Sequence, residues 1–414
     1  MAVFSTKAEG IGGQIKRRYT DFVVEEIRPD GRVCEASRFV EGGTHESEKM
    51  AVPERPEGVD QIHFDLEKIN KDTNWVIKQL SRYLQCSRKR IGYAGMKDKR
   101  AVTCQRISVF EPDVKRVENF WSRGIQLSNA SWENERLDLG MLKANRFAVK
   151  IRDIDLEKEE IEKRVSQCFK EMEKQGIANF FGEQRFGGIR QITHIVGRHF
   201  VKDEFEKGVM LYLTHTVEGE EDEIKAARKR LAETNDFAEA TKLFPVKFRY
   251  ERAMIHHLCK FPKDFVGAFG MLPKQLRYLF THAYQSYLFN NIIEKRLEQG
   301  MGLKKAEGDI LIDGLPAAPL LGFESKFAAG KPGEIEKSVL EEEGIELGQF
   351  KVKKMAEISS KGARKSLVLK PEKLKLGEIE EDEFFPEKKA CTVSFELSKG
   401  NYATTVLREI MKVD

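Results

Sequence analysis

Residues Gly92 to Gln105 read GYAGMKDKRAVTCQ, and they set one carboxylate, Asp98, among Lys97, Lys99 and Arg100. Gly92, Ala94 and Gly95 leave the chain just before it almost bare of side chains. Apolar alternation on either side, in RIGYAG and VTCQRISVF, predicts two strands with MKDKRA as their connection. Asp98 is therefore expected on a loop at a strand end, where a rigid scaffold can present it. A carboxylate among cations stays ionised at neutral pH, which suits a nucleophile or a proton acceptor and not a general acid. The two glycines would let a bulky ligand approach the backbone or let the chain take positive φ. The plainer alternative is a salt-bridged loop that only pins two strands, and this stretch alone leaves both open.

Working outward, the first part of the chain reads as strands separated by helices. DFVVEEI (Asp21 to Ile27), QIHFDLEKI (Gln61 to Ile69) and ANRFAVKIRDI (Ala144 to Ile154) are expected strands. Val76, Ile77, Leu80 and Tyr83 recur at helical spacing, with Thr73 as the expected cap. Ile161, Val165, Phe169 and Met172 mark one face of an amphipathic helix. Residues 28–60 match no regular element, and we expect a mobile segment, ordered by a ligand. From residue 178 the text becomes helix-rich, including THAYQSYLFNNIIEKRL (Thr281 to Leu297). Charged text, PEKLKLGEIEEDEFFPEKK, precedes a last strand at CTVSFEL (Cys391 to Leu397) and a closing helix in NYATTVLREIMK. A β-rich start, a helical middle and a late strand suggest one domain inserted into another.

Composition narrows the chemistry. The chain has 414 residues, 40% hydrophobic and 33% charged, with no run long enough for a membrane helix. The N-terminus lacks the apolar core of a secretory signal. Six cysteines (Cys34, Cys86, Cys104, Cys168, Cys259, Cys391) are scattered without a CxxC pair, which fits a reduced, cytoplasmic protein and argues against structural zinc. There is no HExxH, and GKPG at Gly330 to Gly333 lacks the Ser/Thr of a phosphate loop, so neither metal nor nucleotide-cofactor chemistry is expected. The net charge is only +4, but Lys71 to Arg106 carries ten Lys/Arg against Asp72 and Asp98. A local basic surface on a near-neutral chain suits a polyanion; a solvated helix face is the alternative. NFFGEQRFGG (Asn179 to Gly188) interleaves aromatics with Glu183, Gln184 and Arg185, a pattern suited to unpaired bases or, equally, to a tight turn over a core. Glu26 could be an ordinary surface acid and Phe147 a core residue. His256 and His257 have no apparent partner.

Together these motifs resemble the TruD family of tRNA pseudouridine synthases. AGMKDKRAVTCQ matches the family's AGxKDxxAxTxQ pattern at every fixed position from Ala94 to Gln105. DFVVEE, NRF, NFFGEQRFG, QSYLFN and KGNYATTVLRE are similar to its other signatures, in the same order, from residue 21 to 409. The resemblance implies an α+β fold. A mixed, largely antiparallel sheet would form the catalytic domain (1–177 and 373–414), interrupted by a helix-rich α/β insertion (178–372). The long insertion is similar to that of archaeal or eukaryotic members. It implies cofactor-free isomerisation of uridine to pseudouridine in tRNA, at uridine 13, by Asp98. Glu26, Lys97, Asn145 and Phe147 would line the pocket, with Lys97 holding Asp98 ionised. Arg88, Lys89, Arg90, Lys99, Arg100 and Arg185 would contact RNA. The partner is then tRNA and the chain a monomer. The competing reading is a non-catalytic RNA-binding protein or RNA chaperone on the same scaffold.

Overall fold

The computed structural model describes residues 3–40 and 45–413. Two compact units are built from residues 4–177 with 370–414 and from residues 178–369.

The first unit is organised by an eight-stranded sheet. Its strands are β1 (Phe22–Ile27), β2 (Gln61–Ile69), β3 (Ile91–Tyr93), β4 (Val102–Phe110), β5 (Ile125–Glu133) and β6 (Ala144–Ile154), joined by Glu372–Glu381 and Lys389–Ser398. The order runs Glu372–Glu381, Lys389–Ser398, β6, β1, β4, β2, β5, with β3 also on β4. Only β1 and β4 pair in parallel; the other pairings are antiparallel. Early in its length β4 pairs with β1 (Val23 opposite Val102), and later with β3 (Tyr93 opposite Ile107). The chain leaving Tyr93 must therefore travel back beside β4 to reach Val102. Residues 94–101 do this without regular structure, and they carry Asp98.

Helix Thr73–Tyr83 turns Val76, Ile77 and Leu80 onto Ile62, Phe64 and Leu66 of β2, Ile107 and Val109 of β4, and Ile125 and Leu127 of β5. Each such side chain contributes about 1.5–3 kcal/mol by leaving water. The cap of this helix is Asp72, whose carboxylate accepts from the Trp75 N–H at 3.0 Å. Thr73, the expected cap, is the first helical residue and is buried. Residues 28–60 also depart from expectation. Glu67 of β2 accepts the backbone N–H groups of Ser37, Arg38 and Phe39 at 2.8–3.0 Å, and Cys34, Phe39 and Met50 are buried. The described part of this segment is pinned to the sheet; residues 41–44 lie outside the described residues.

The charged text after residue 370 contains a strand that alternation did not announce, Glu372–Glu381, at the sheet edge. The loop beyond it is anchored by Arg152 of β6, which is 2% exposed, bonds Asp21, Asp382 and Glu383, and lies over the Phe384 ring.

The second unit is built around helix Lys274–Glu298, with a three-stranded antiparallel sheet of Ala363–Ser366, Leu315–Leu320 and Ile310–Ile312. Two apolar clusters fill it, one on Leu288, Phe289 and Phe350, the other on Phe200, Met254 and Phe269. Among the described residues no helix is long and apolar enough to cross a membrane.

Candidate active site

The loop 94–101 is anchored by side chains of β4, β2 and helix Thr73–Tyr83 and by backbone N–H groups. Gln105 of β4 donates from Nε2 to the Gly95 carbonyl at 3.0 Å. Thr73 Oγ1 accepts the Lys97 N–H at 3.2 Å and lies 3.4 Å from the Lys97 carbonyl. Lys68 Nζ donates to the Asp98 carbonyl at 2.7 Å. The Asn70 N–H donates to the Ala101 carbonyl at 3.1 Å. Buried backbone that lacks a ladder must find such partners, and here they fix the path of the loop.

Antiparallel pairing sets Glu26 of β1 opposite Asn145 of β6, and Val24 opposite Phe147, so that Glu26, Asn145 and Phe147 share one face. Lys97 reaches down to that face. Its Nζ pairs with Glu26 Oε2 at 2.8 Å and donates to Asn145 Oδ1 at 2.7 Å. Glu26 and Lys97 side chains are 2% and 4% exposed, so this is a desolvated pair held by further hydrogen bonds, including the Arg106 N–H on Glu26 Oε1. Phe147 is buried, stacked on Phe395 at 5.5 Å and edge-on to Phe22 at 6.2 Å.

Lys97 is therefore not the cation of Asp98, contrary to the reading of the sequence. That position is taken by Lys16, whose Nζ donates to Asp98 Oδ1 at 3.2 Å and sits 4.0 Å from the Phe22 ring centroid. Lys16 has φ of 61°, a left-handed backbone that a lysine adopts only where the surroundings hold it. The Asp98 side chain is 36% exposed, while Lys16 is 16% exposed. Beneath the loop, Lys68 is fully buried, and burial pushes its ammonium down to about 8 although the Asp98 and Asp72 carboxylates oppose the shift.

The glycines behave differently from each other. A Cβ on Gly92 would come within 2.2 Å of the Leu137 carbonyl, so this glycine permits chain packing and not ligand approach. A Cβ on Gly95 would meet nothing within 4 Å. Among the expected RNA contacts, Arg88, Lys89, Lys99 and Arg100 are exposed. Arg90 is engaged elsewhere: it donates to the Phe110 and Glu111 carbonyls and covers the Phe110 ring. Arg185 belongs to the other unit, where its Nε donates to Ser286 Oγ at 2.9 Å. The aromatics beside it are core: Phe180, Phe181 and Phe186 are buried, and Asn290 clamps the Phe181 N–H and carbonyl at 2.9 and 3.0 Å. Unpaired bases cannot stack there.

Lys16 and Lys68 went unread in the sequence because they come from segments 82 and 30 residues away from Asp98 and carry no motif of their own. Among the described residues no three His, Cys, Asp or Glu side chains converge as metal ligands.

The family model for tRNA pseudouridine synthase D (TruD) matches residues 1–315 and 312–410 of this chain. A Methanococcoides burtonii protein named probable tRNA pseudouridine synthase D is 38% identical, covering 100% of this chain and 96% of its own. Its Methanosarcina acetivorans counterpart is 39% identical, over 100% and 95%. The crystal structure of TruD from Methanosarcina mazei superposes with a TM-score of 0.80 at 37% identity, covering 100% of this chain and 96% of that one. The fold and the ordered motifs thus have one source: the chain belongs to the tRNA pseudouridine synthase D (TruD) family.

Proposed function

We propose that this chain isomerises uridine to pseudouridine in tRNA, at uridine 13, as a cytoplasmic monomer with Asp98 as its catalytic carboxylate and no cofactor. The observation that carries the reading is Asp98 itself, ion-paired to Lys16 yet 36% exposed beside groups that are almost wholly buried. Glu26, by contrast, is sealed against Lys97.

The reaction breaks the C1′–N1 bond, turns the uracil, and forms a C5–C1′ bond while the C5 hydrogen leaves as a proton. Asp98 can act by adding to C1′, by taking the C2′ proton to give a glycal, or by adding to C6 of the base. Each route needs a free carboxylate oxygen, and Lys16 holds Asp98 through Oδ1. Glu26, Lys97 and Asn145 form a preorganised polar wall, and Phe147 with Phe395 a shaped apolar floor, to retain the detached uracil. A uridine inside folded tRNA must leave its stack to reach Asp98, and exposed Arg88, Lys89, Lys99 and Arg100 are suited to flanking phosphates. Residues 178–372 would be the inserted domain.

The test is Asp98→Asn, assayed by tritium release from 5-tritiated uridine in tRNA. We expect tRNA binding to persist and release to vanish. Turnover retained by the variant sinks the assignment of Asp98, and wild-type protein that binds tRNA without product on any RNA sinks the enzyme reading.

A further inference from the structure

Next to the loop of Asp98 lies a pair of cations that the isomerisation reading leaves unused. Lys71 stands on the turn between β2 and helix Thr73–Tyr83, whose neighbours Asn70 and Thr73 hold the loop at its last residue, Ala101, and at its middle, Lys97. Gly124, in a left-handed conformation with φ of +73°, abuts Lys71: a Cβ there would sit 3.0 Å from Lys71 Cε. Gly124 is also tied to β2, its carbonyl accepting the Ile69 N–H at 3.1 Å. This brings exposed Arg123, the residue before Gly124, beside Lys71, whose ammonium is lowered first by burial and then by Arg123.

Among the described residues neither cation has a carboxylate within ion-pair distance. Asp72, the nearest acid in sequence, is turned away to cap its helix at the Trp75 N–H. Lys71 instead lies 4.9 Å from the Trp75 ring centroid, and that indole is 43% exposed. Two like charges set side by side by a glycine turn, with an exposed aromatic ring next to Lys71, offer an anion two donors at one place.

We propose that Lys71 and Arg123 form a phosphate subsite, with Trp75 as a stacking platform beside it, which holds the RNA strand adjoining the nucleotide presented to Asp98. The inference rests on the reading of the chain as an RNA-modifying enzyme. A phosphodiester bridges two cations, and an unpaired base offers the π-face that an exposed indole accepts. The subsite is distinct from the exposed residues Arg88 to Arg100, and it lies where loop anchors already converge.

The experiment compares the full-length wild type with Lys71→Gln/Arg123→Gln and with the charge-preserving swap Lys71→Arg/Arg123→Lys. Dissociation constants for a tRNA transcript and for a short single-stranded RNA are measured across salt, together with KM in tritium release. The Gln pair should weaken binding about tenfold and lower the salt slope by about 0.7, the value for one phosphate on a single strand. The swap should keep most of both. Trp75→Leu should weaken binding with no change in slope, since stacking releases no counterions. A folded Gln pair with wild-type affinity and slope overturns the subsite, and so does a swap that fails as badly as the Gln pair. Absence of product from wild type refutes the enzyme reading instead, and the binding arms then still decide the subsite.

Discussion

At the scale of single residues, the site separates a carboxylate that is available from one that is not. Glu26 is sealed against Lys97, and Asp98 is held by Lys16 at the edge of solvent. Removing the cation should release the reactive acid from its position. Lys16→Met is expected to lower kcat/KM about 100-fold, the cost of misplacing a reacting group, with tRNA affinity nearly unchanged and Lys16→Arg recovering part of the loss. Equal loss in affinity and turnover would instead make Lys16 an RNA contact. Lys68 gives a prediction with a sign. Its ammonium titrates at about 8 in the fold, below the ~10.4 of an unfolded lysine, because burial disfavours the charge. Between those values the unfolded chain binds more protons, so this residue's contribution to stability rises with pH. The melting temperature of Lys68→Met relative to wild type should accordingly be highest near pH 7 and decline toward pH 9.5; a flat difference refutes it. The sequence exposed Asp98 and its motif but paired it with the wrong lysine. On this irregular loop Lys97 reaches Glu26 and Asn145 while Asp98 stays at the solvent edge, so the neighbour in sequence is a poor guess for the neighbour in space.

Among elements, the legible ones were those whose apolar residues alternate or cluster along the strand. β6 and β2 were read to their exact residues because apolar alternation or a dense apolar run marks a strand inside a sheet. Glu372–Glu381 was missed since an edge strand exposed along most of its length has no apolar face to announce it. The segment 28–60 was missed for another reason: its order comes from distant side chains, Glu67 accepting three backbone N–H groups, Glu25 the Ala36 N–H and Gln126 the Glu48 N–H. The closing helix, Ala403–Met411, shows the same device. Buried Glu409 accepts the Ser5 and Thr6 N–H groups and bonds Lys412, tying residues 5–6 to the far end of the chain. Burial raises its carboxyl, but the Lys412 ammonium and the Ser5 N–H outweigh this and hold it below the usual value. A group lowered in the fold stabilises above its unfolded value and loses that contribution as pH falls through the folded one. Glu409→Gln should therefore cost about 1–3 kcal/mol at pH 7, and the gap to wild type should close as the pH falls below ~4.3, read by urea unfolding across pH. A constant gap would assign the loss to shape alone.

For the molecule as a whole, a net charge of +4 cannot by itself bind a polyanion, so affinity for tRNA has to come from where the cations stand and which are free. The sequence located a basic stretch, but it could not tell committed charges from available ones. Arg90 spends its guanidinium on Phe110 and Glu111, whereas Arg88, Lys89, Lys99 and Arg100 face solvent. It was equally blind to which aromatics are open: Phe180, Phe181 and Phe186 drew attention and are buried, while Trp75 and Trp121 are 43% and 58% exposed. Apolar composition predicts average burial, and the exceptions are a property of the assembled surface. The distinction is measurable. Arg88→Gln/Lys89→Gln/Lys99→Gln/Arg100→Gln should weaken tRNA binding and lower the salt slope by up to about 3, at ~0.7 to 0.9 per phosphate contact. Arg90→Gln should leave that slope in place and lower the melting temperature instead, because it empties a bonded site against two carbonyls. If the fourfold variant keeps the wild-type slope, the RNA does not run over this part of the surface, and electrostatic capture must be sought on other cations of the chain.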